Sequence, residues 1–109
     1  MKLATIKKIY QELNAHNFGG VLDEPVILIK RWRNAIGQFE TYENRQPVMC
    51  FNPEHFENLN HAKSVIFHEM VHQYVEEFLD IDEKEHHGKI FWNTCHKFAT
   101  SEIELGECL

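Results

Sequence analysis

Leu3, Ile6, Ile9, Tyr10 and Leu13 recur at intervals of three and four near the start of the chain. That period places about the first fifteen residues on a helix packed by one face. His16-Asn17-Phe18-Gly19-Gly20 closes it, since the glycine pair can take the positive φ that a helix exit often needs. After Pro25 the run Val26-Ile27-Leu28-Ile29 is continuously apolar and largely β-branched, which predicts a buried strand. Gly37-Gln38-Phe39-Glu40-Thr41-Tyr42 alternates weakly and predicts a second strand. Pro47-Val48-Met49-Cys50-Phe51 predicts a third.

Helical periods return in the second half. Asn52-Pro53-Glu54 reads as an N-cap followed by proline at the first helical position, opening a short turn or helix that runs to Leu59. Asn60 is then the expected cap of a long helix over about residues 61–80. At 100° per residue Val65, Phe67, Met70, Val71, Tyr74, Val75, Phe78 and Leu79 cover most of its circumference. Only Glu69, Gln73, Glu76 and Glu77 form a polar stripe, so this helix is predicted to be central. An acidic connection, Asp80 to Glu85, is expected to be a solvated loop. Ile90, Phe91, Cys95 and Phe98 mark a last helix of about three turns, followed by a short turn or frayed tail. The predicted class is α+β, one domain over residues 1–109. It has an N-terminal helix, a small sheet of about three strands, a central helix and a C-terminal helix.

Composition narrows the function. The chain of 109 residues is 43% apolar, with eight Phe, two Trp and three Tyr, enough for one compact core. Seventeen acidic residues against eleven Lys and Arg leave a net charge of -6, which argues against a broad nucleic-acid-binding face. Lys7-Lys8 with Lys30, Arg31 and Arg33 supply at most a small basic patch. Cys50, Cys95 and Cys108 are widely spaced and form no CxxC, so a reducing, cytoplasmic setting is expected rather than a disulfide framework. Lysines interrupt the apolar positions of the first helix, unlike a signal peptide, and no stretch has the length of a membrane span.

The chemistry lies in the central helix. His68-Glu69-Met70-Val71-His72 is an HExxH sequence. Residues four apart on a helix lie about 40° apart around the axis, so both imidazoles can address one ion. By the same count they point among Val65, Val75 and Leu79, and a shared metal satisfies two imidazoles in such surroundings. Zinc accepts nitrogen ligands in a tetrahedron and keeps one corner for water when the site is catalytic. Candidates for a third ligand are His86, His87, His96, Glu76 and Glu77. Glu76 is two turns from His68, too far along a straight axis. His87 is favoured, because Gly88 beside it would let that backbone come close to the central helix. His96 fits better as a donor behind the ligands or a substrate contact.

HEMVHQY, the nineteen residues from His68 to His87-Gly88, and Phe91 four beyond His87 resemble the SprT-like zinc metallopeptidase family, which includes the protease domain of Spartan. Phe51-Asn52-Pro53 and the early Leu13-Asn14...Phe18-Gly19-Gly20-Val21-Leu22 resemble it as well, so the likeness covers nearly the whole chain. The resemblance implies a zincin-like minimal domain holding one Zn2+ through His68, His72 and His87, with Glu69 as catalytic base. Many bacterial members carry a cysteine-rich zinc ribbon after this core, and Spartan-type proteins carry DNA-interacting extensions. Neither is present in this sequence. DNA association is implied by the resemblance alone and runs against the acidic charge.

The expected reaction is hydrolysis of peptide bonds without a covalent enzyme intermediate. Zinc acidifies a water, and Glu69 takes its proton and passes it towards the leaving amine. His96, His86 and Tyr42 are the candidate donors to the oxyanion. A strand edge near residues 47–51 is expected to accept an extended peptide, which favours unfolded or flexible polypeptides as substrates. The competing reading is a non-catalytic zinc module or inactive homologue acting through a protein or DNA partner, with His86 or His96 as a fourth ligand.

Overall fold

The computed structural model describes residues 1–79, 88–100 and 103. Helix α1, Leu3–Asn17, buries Ile6, Ile9, Tyr10 and Leu13 along one face, as their spacing predicts. Its exit uses both glycines: Gly19 and Gly20 have φ of 64° and 75°, and the Gly20 amide donates to the Asn14 carbonyl at 2.8 Å.

Three strands follow: β1 (Val26–Ile29), β2 (Gly37–Tyr42) and β3 (Arg45–Phe51). Their order is β1-β3-β2, with β1 parallel and β2 antiparallel to the central β3. Ile27, Met49 and Phe39 form one row across the inner face; Ile29, Phe51 and Gly37 form the next. Pro47 lies where the β2–β3 register shifts, between the Glu40–Val48 and Tyr42–Arg45 pairs. A residue without an N–H is tolerated there because the ladder is already interrupted.

Two strand expectations are corrected. The run Val26-Ile27-Leu28-Ile29 is not buried on both faces: Ile27 is 3% exposed, but Val26 and Leu28 are 38% and 42% exposed. As an edge strand it turns alternate residues to opposite faces, and only one face meets the core. Residues 47–51 offer no free edge either, because β3 is paired on both sides. Among the described residues the edges of this sheet are β1 and β2.

Asn52 caps a short 3-10 turn, Pro53–His55, its side chain accepting from the Glu54 amide; the turn stops short of Leu59. Helix α2, Leu59–Tyr74, opens on Asn58 rather than Asn60, the Asn58 side chain accepting from the His61 amide at 2.8 Å. His61 Nδ1 accepts in return from the Glu57 amide at 3.0 Å, so two early donors are satisfied reciprocally.

Most of α2 is buried, and it lies against β2, α1 and helix α3, Lys89–Phe98. The polar stripe on it is buried over its first half and exposed over its second. Glu69 is 5% exposed and Gln73 fully buried, whereas Glu76 and Glu77 are exposed. Beyond Tyr74 the chain winds as a π turn, Val75–Leu79. An extra residue per turn breaks the 100° count there, and Phe78 and Leu79, expected in the apolar face, are 49% and 39% exposed. The acidic connection lies outside the described residues, as does most of the tail. Ile103 is buried, its amide donating to the Thr100 carbonyl.

The described residues form a compact α+β domain with three helices and a three-stranded sheet around one core. Among the described residues no helix is long and apolar enough to cross a membrane.

The cap assignment is directly testable. Asn58→Ala should cost about 1 kcal/mol in urea denaturation, whereas Asn60→Ala, at an exposed helical position, should be neutral or stabilise by a few tenths. Equal losses at the two positions would restore Asn60 as the cap.

Candidate metal centre

One turn of α2 brings His68 and His72 together, their ring centroids 5.0 Å apart and their planes at 70°. Two imidazoles on one tetrahedral ion, with metal–nitrogen bonds near 2.05 Å, would have centroids roughly 5.2 Å apart. The observed spacing therefore fits a shared zinc ion. Borderline nitrogen donors on a helix held by the core also suit that metal.

Phe91 of α3 supports the pair from behind. Its ring stacks on His72 at 4.3 Å and 28° and meets His68 edge-on at 5.1 Å. At 1% exposure it closes that side of the imidazoles to water. Aromatic contacts of this kind restrict ring rotation, so the imidazoles are oriented by packing.

Glu69 points the other way round the helix, yet its Oε2 comes to 3.7 Å from His68 Nε2. It can do so because β2 enters close beside it. A Cβ added to Gly37 would stand 3.2 Å from Glu69 Cγ and 3.1 Å from Phe51 Cδ1. Any larger residue there would have to displace the carboxylate or a buried ring. Ile36, Gly37, Val65, His68 and Glu69 line a shallow cleft of about 160 Å³, large enough for several waters at about 30 Å³ each. A larger hollow of about 420 Å³, between α1, Lys63 and Thr100, holds none of the HExxH residues.

Asn52 fixes how β2 arrives. Its amide donates to the Ile36 carbonyl at 2.8 Å and its Nδ2 to the Trp32 carbonyl at 2.7 Å, and His55 Nε2 lies 3.0 Å from the same Trp32 oxygen. The chain between β1 and β2 is thus tied down at both ends of its approach to Glu69.

The other candidates are placed differently. His86 and His87 lie outside the described residues. Among the described residues no group of three or more His, Cys, Asp or Glu side chains is arranged to hold a metal. His96 is exposed and stacked on Trp92 at 5.1 Å, five residues and therefore about 140° around α3 from Phe91. The structure does not bring it to the imidazole pair. Tyr42 stands at the β2–β3 hairpin, its hydroxyl donating to Glu40 and its ring under Arg45. The bond to Glu40 raises its pKa, and five residues of strand put it roughly 16 Å from Gly37. Neither His96 nor Tyr42 is positioned to steady an oxyanion beside Glu69. Glu76 and Glu77 sit on the exposed π turn, Glu77 accepting from Gln73.

Gly37 and Ile36 are the site residues that sequence reasoning missed. The signal was a glycine opening a strand, which often marks close approach of another element. No protein-family model, no curated protein and no solved structure matches this chain.

Gly37→Val should lower stability by about 1–3 kcal/mol in chemical denaturation, because Phe51 and Glu69 leave no room for its methyl groups. Unchanged stability would mean that the close approach of β2 to α2 is looser than described. Cys50 is buried, and burial pushes its thiol pKa up. Cys50 and Cys95, the latter also buried, should resist iodoacetamide at pH 8 in the native protein and react on unfolding. Rapid native labelling of either would contradict their placement.

Proposed function

We propose that this chain is a zinc-dependent endopeptidase with a zincin-like, SprT-type core. Its residues His68, His72 and His87 would hold one zinc ion, and Glu69 serves as general base. The observation that carries this reading is the joint arrangement of two imidazoles at zinc-sharing separation and a buried carboxylate beside them, opening on a cleft. The third ligand rests on the His87-Gly88 spacing and on the family resemblance.

Bound zinc would supply a Lewis acid that acidifies water and polarises a carbonyl. The protein's own part falls to Glu69. From its place at the cleft, 3.7 Å from His68 Nε2, Oε2 takes the proton of the attacking water and returns it to the leaving amine. Burial at 5% exposure keeps the carboxylate in one position for both transfers.

Substrate geometry follows from β2. Among the described residues β2 pairs with β3 on one side only, and it begins at Gly37 beside Glu69. An extended peptide added along that edge would run past the carboxylate, with main-chain hydrogen bonds providing most of the affinity. A shallow cleft gives little side-chain selection, so unfolded or flexible polypeptides are the fitting substrate class.

The test compares wild type with Glu69→Gln for zinc content and for cleavage of an unfolded protein. Glu69→Gln should retain one zinc per chain and lose cleavage by about 10²–10⁴-fold. Equal cleavage by both proteins would remove Glu69 from the mechanism. Bound zinc with no cleavage by wild type would assign the metal a structural role.

A further inference from the structure

Gln73 is fully buried on the same line of α2 as Glu69, one turn away, and adjacent in sequence to His72. Its Oε1 accepts from the Tyr10 hydroxyl at 2.7 Å, and its Nε2 donates to the Asp23 carbonyl at 2.7 Å and to the Glu77 carboxylate at 3.3 Å. Tyr10 belongs to α1 and is itself fully buried; Asp23 belongs to the connection between α1 and β1. Burial pushes the Tyr10 pKa up, so its hydroxyl stays a donor.

These bonds hold α2 in a way its apolar contacts cannot. Contacts such as Ile66 or Met70 against the core are non-directional and permit a helix to rotate slightly about its axis. Rotation by 10° would move a carboxylate some 6 Å from that axis by roughly 1 Å, a displacement that can cost about 10²-fold in rate. Two short hydrogen bonds to fixed partners resist that rotation.

We infer that Tyr10 and Gln73 are positioning residues: by tying α2 to α1 and to the Asp23 carbonyl they set the rotation of the helix that presents Glu69 and His72. Their effect on catalysis rests on the peptidase reading. Their effect on helix placement does not.

The experiment compares wild type with Tyr10→Phe, with the double variant Tyr10→Phe/Gln73→Leu, and with Ile6→Val as a core-softening control. The first readout is the set of NMR signals of the His72 and His68 rings in metal-free protein, which the Phe91 ring current shifts. The second is kcat and KM for an unfolded protein substrate, per bound zinc. Tyr10→Phe should move the His72 signals and lower kcat roughly tenfold or more, with KM within about twofold. The double variant should regain part of the thermal stability that Tyr10→Phe loses, since it no longer buries a side-chain amide against an apolar ring, although the Asp23 carbonyl still lacks its donors, while its ring signals and kcat stay displaced. Ile6→Val should lower stability and move neither. Ring signals and kcat that stay at wild-type values in Tyr10→Phe, or that recover together with stability in the double variant, would overturn the inference. Should wild type prove unable to cleave, the peptidase reading fails alone, and the ring signals still decide whether Tyr10 and Gln73 set the helix.

Discussion

A helix enclosed on most sides must carry its polar side chains into the interior, and α2 does so at several positions. Because desolvated polar groups are costly without partners, each neighbouring element is constrained in where it can sit. α1 has to present Tyr10 to Gln73, and the connection after it has to turn the Asp23 carbonyl inward. β2 has to come within contact of Glu69. α3 has to lay Phe91 against two imidazoles. The placement of the other elements is largely the set of answers to what α2 buries.

This explains the division of labour around the imidazole pair. The side facing α3 is aromatic and dry, where packing holds the rings. The side facing β2 is a cleft, where a carboxylate and a backbone without a side chain meet. A carboxylate in contact with a strand edge and shielded from bulk water is suited to moving a proton, because its hydration need not be reorganised at the moment of reaction. The two sides are built from elements far apart in sequence, so the α2 segment alone does not make the site.

What the sequence revealed, and what it hid, follows from the range of the forces involved. Helices α1, α2 and α3 were legible because their period is local, although the cap of α2 is Asn58 and not Asn60, and the turn of the chain at Gly19 and Gly20 was legible too. The co-location of His68 and His72 was legible for the same reason: helical spacing alone brings them together. Val26-Ile27-Leu28-Ile29 misled because a run of apolar residues does not say whether a second layer will cover it. Gln73 and Glu69 were read only as members of a polar stripe, and the burial of both is imposed by α1 and β2, not by their own helix. Gly37 could not be tied to Glu69 without the fold, and the distance of Tyr42 and the outward face of His96 depend on it equally.

The π turn after Tyr74 fits one more residue into the winding than an α-helix would. It therefore works as a length adjuster between the buried part of α2 and whatever follows. Deleting a single residue within it would let the chain close as an ordinary helix, and because five residues of π winding turn about as far as four of α winding, the chain that follows would keep roughly its direction about the axis. A one-residue deletion there would thus leave His68 and His72 facing each other. One residue more or fewer just beyond the motif is therefore a change that this winding can absorb.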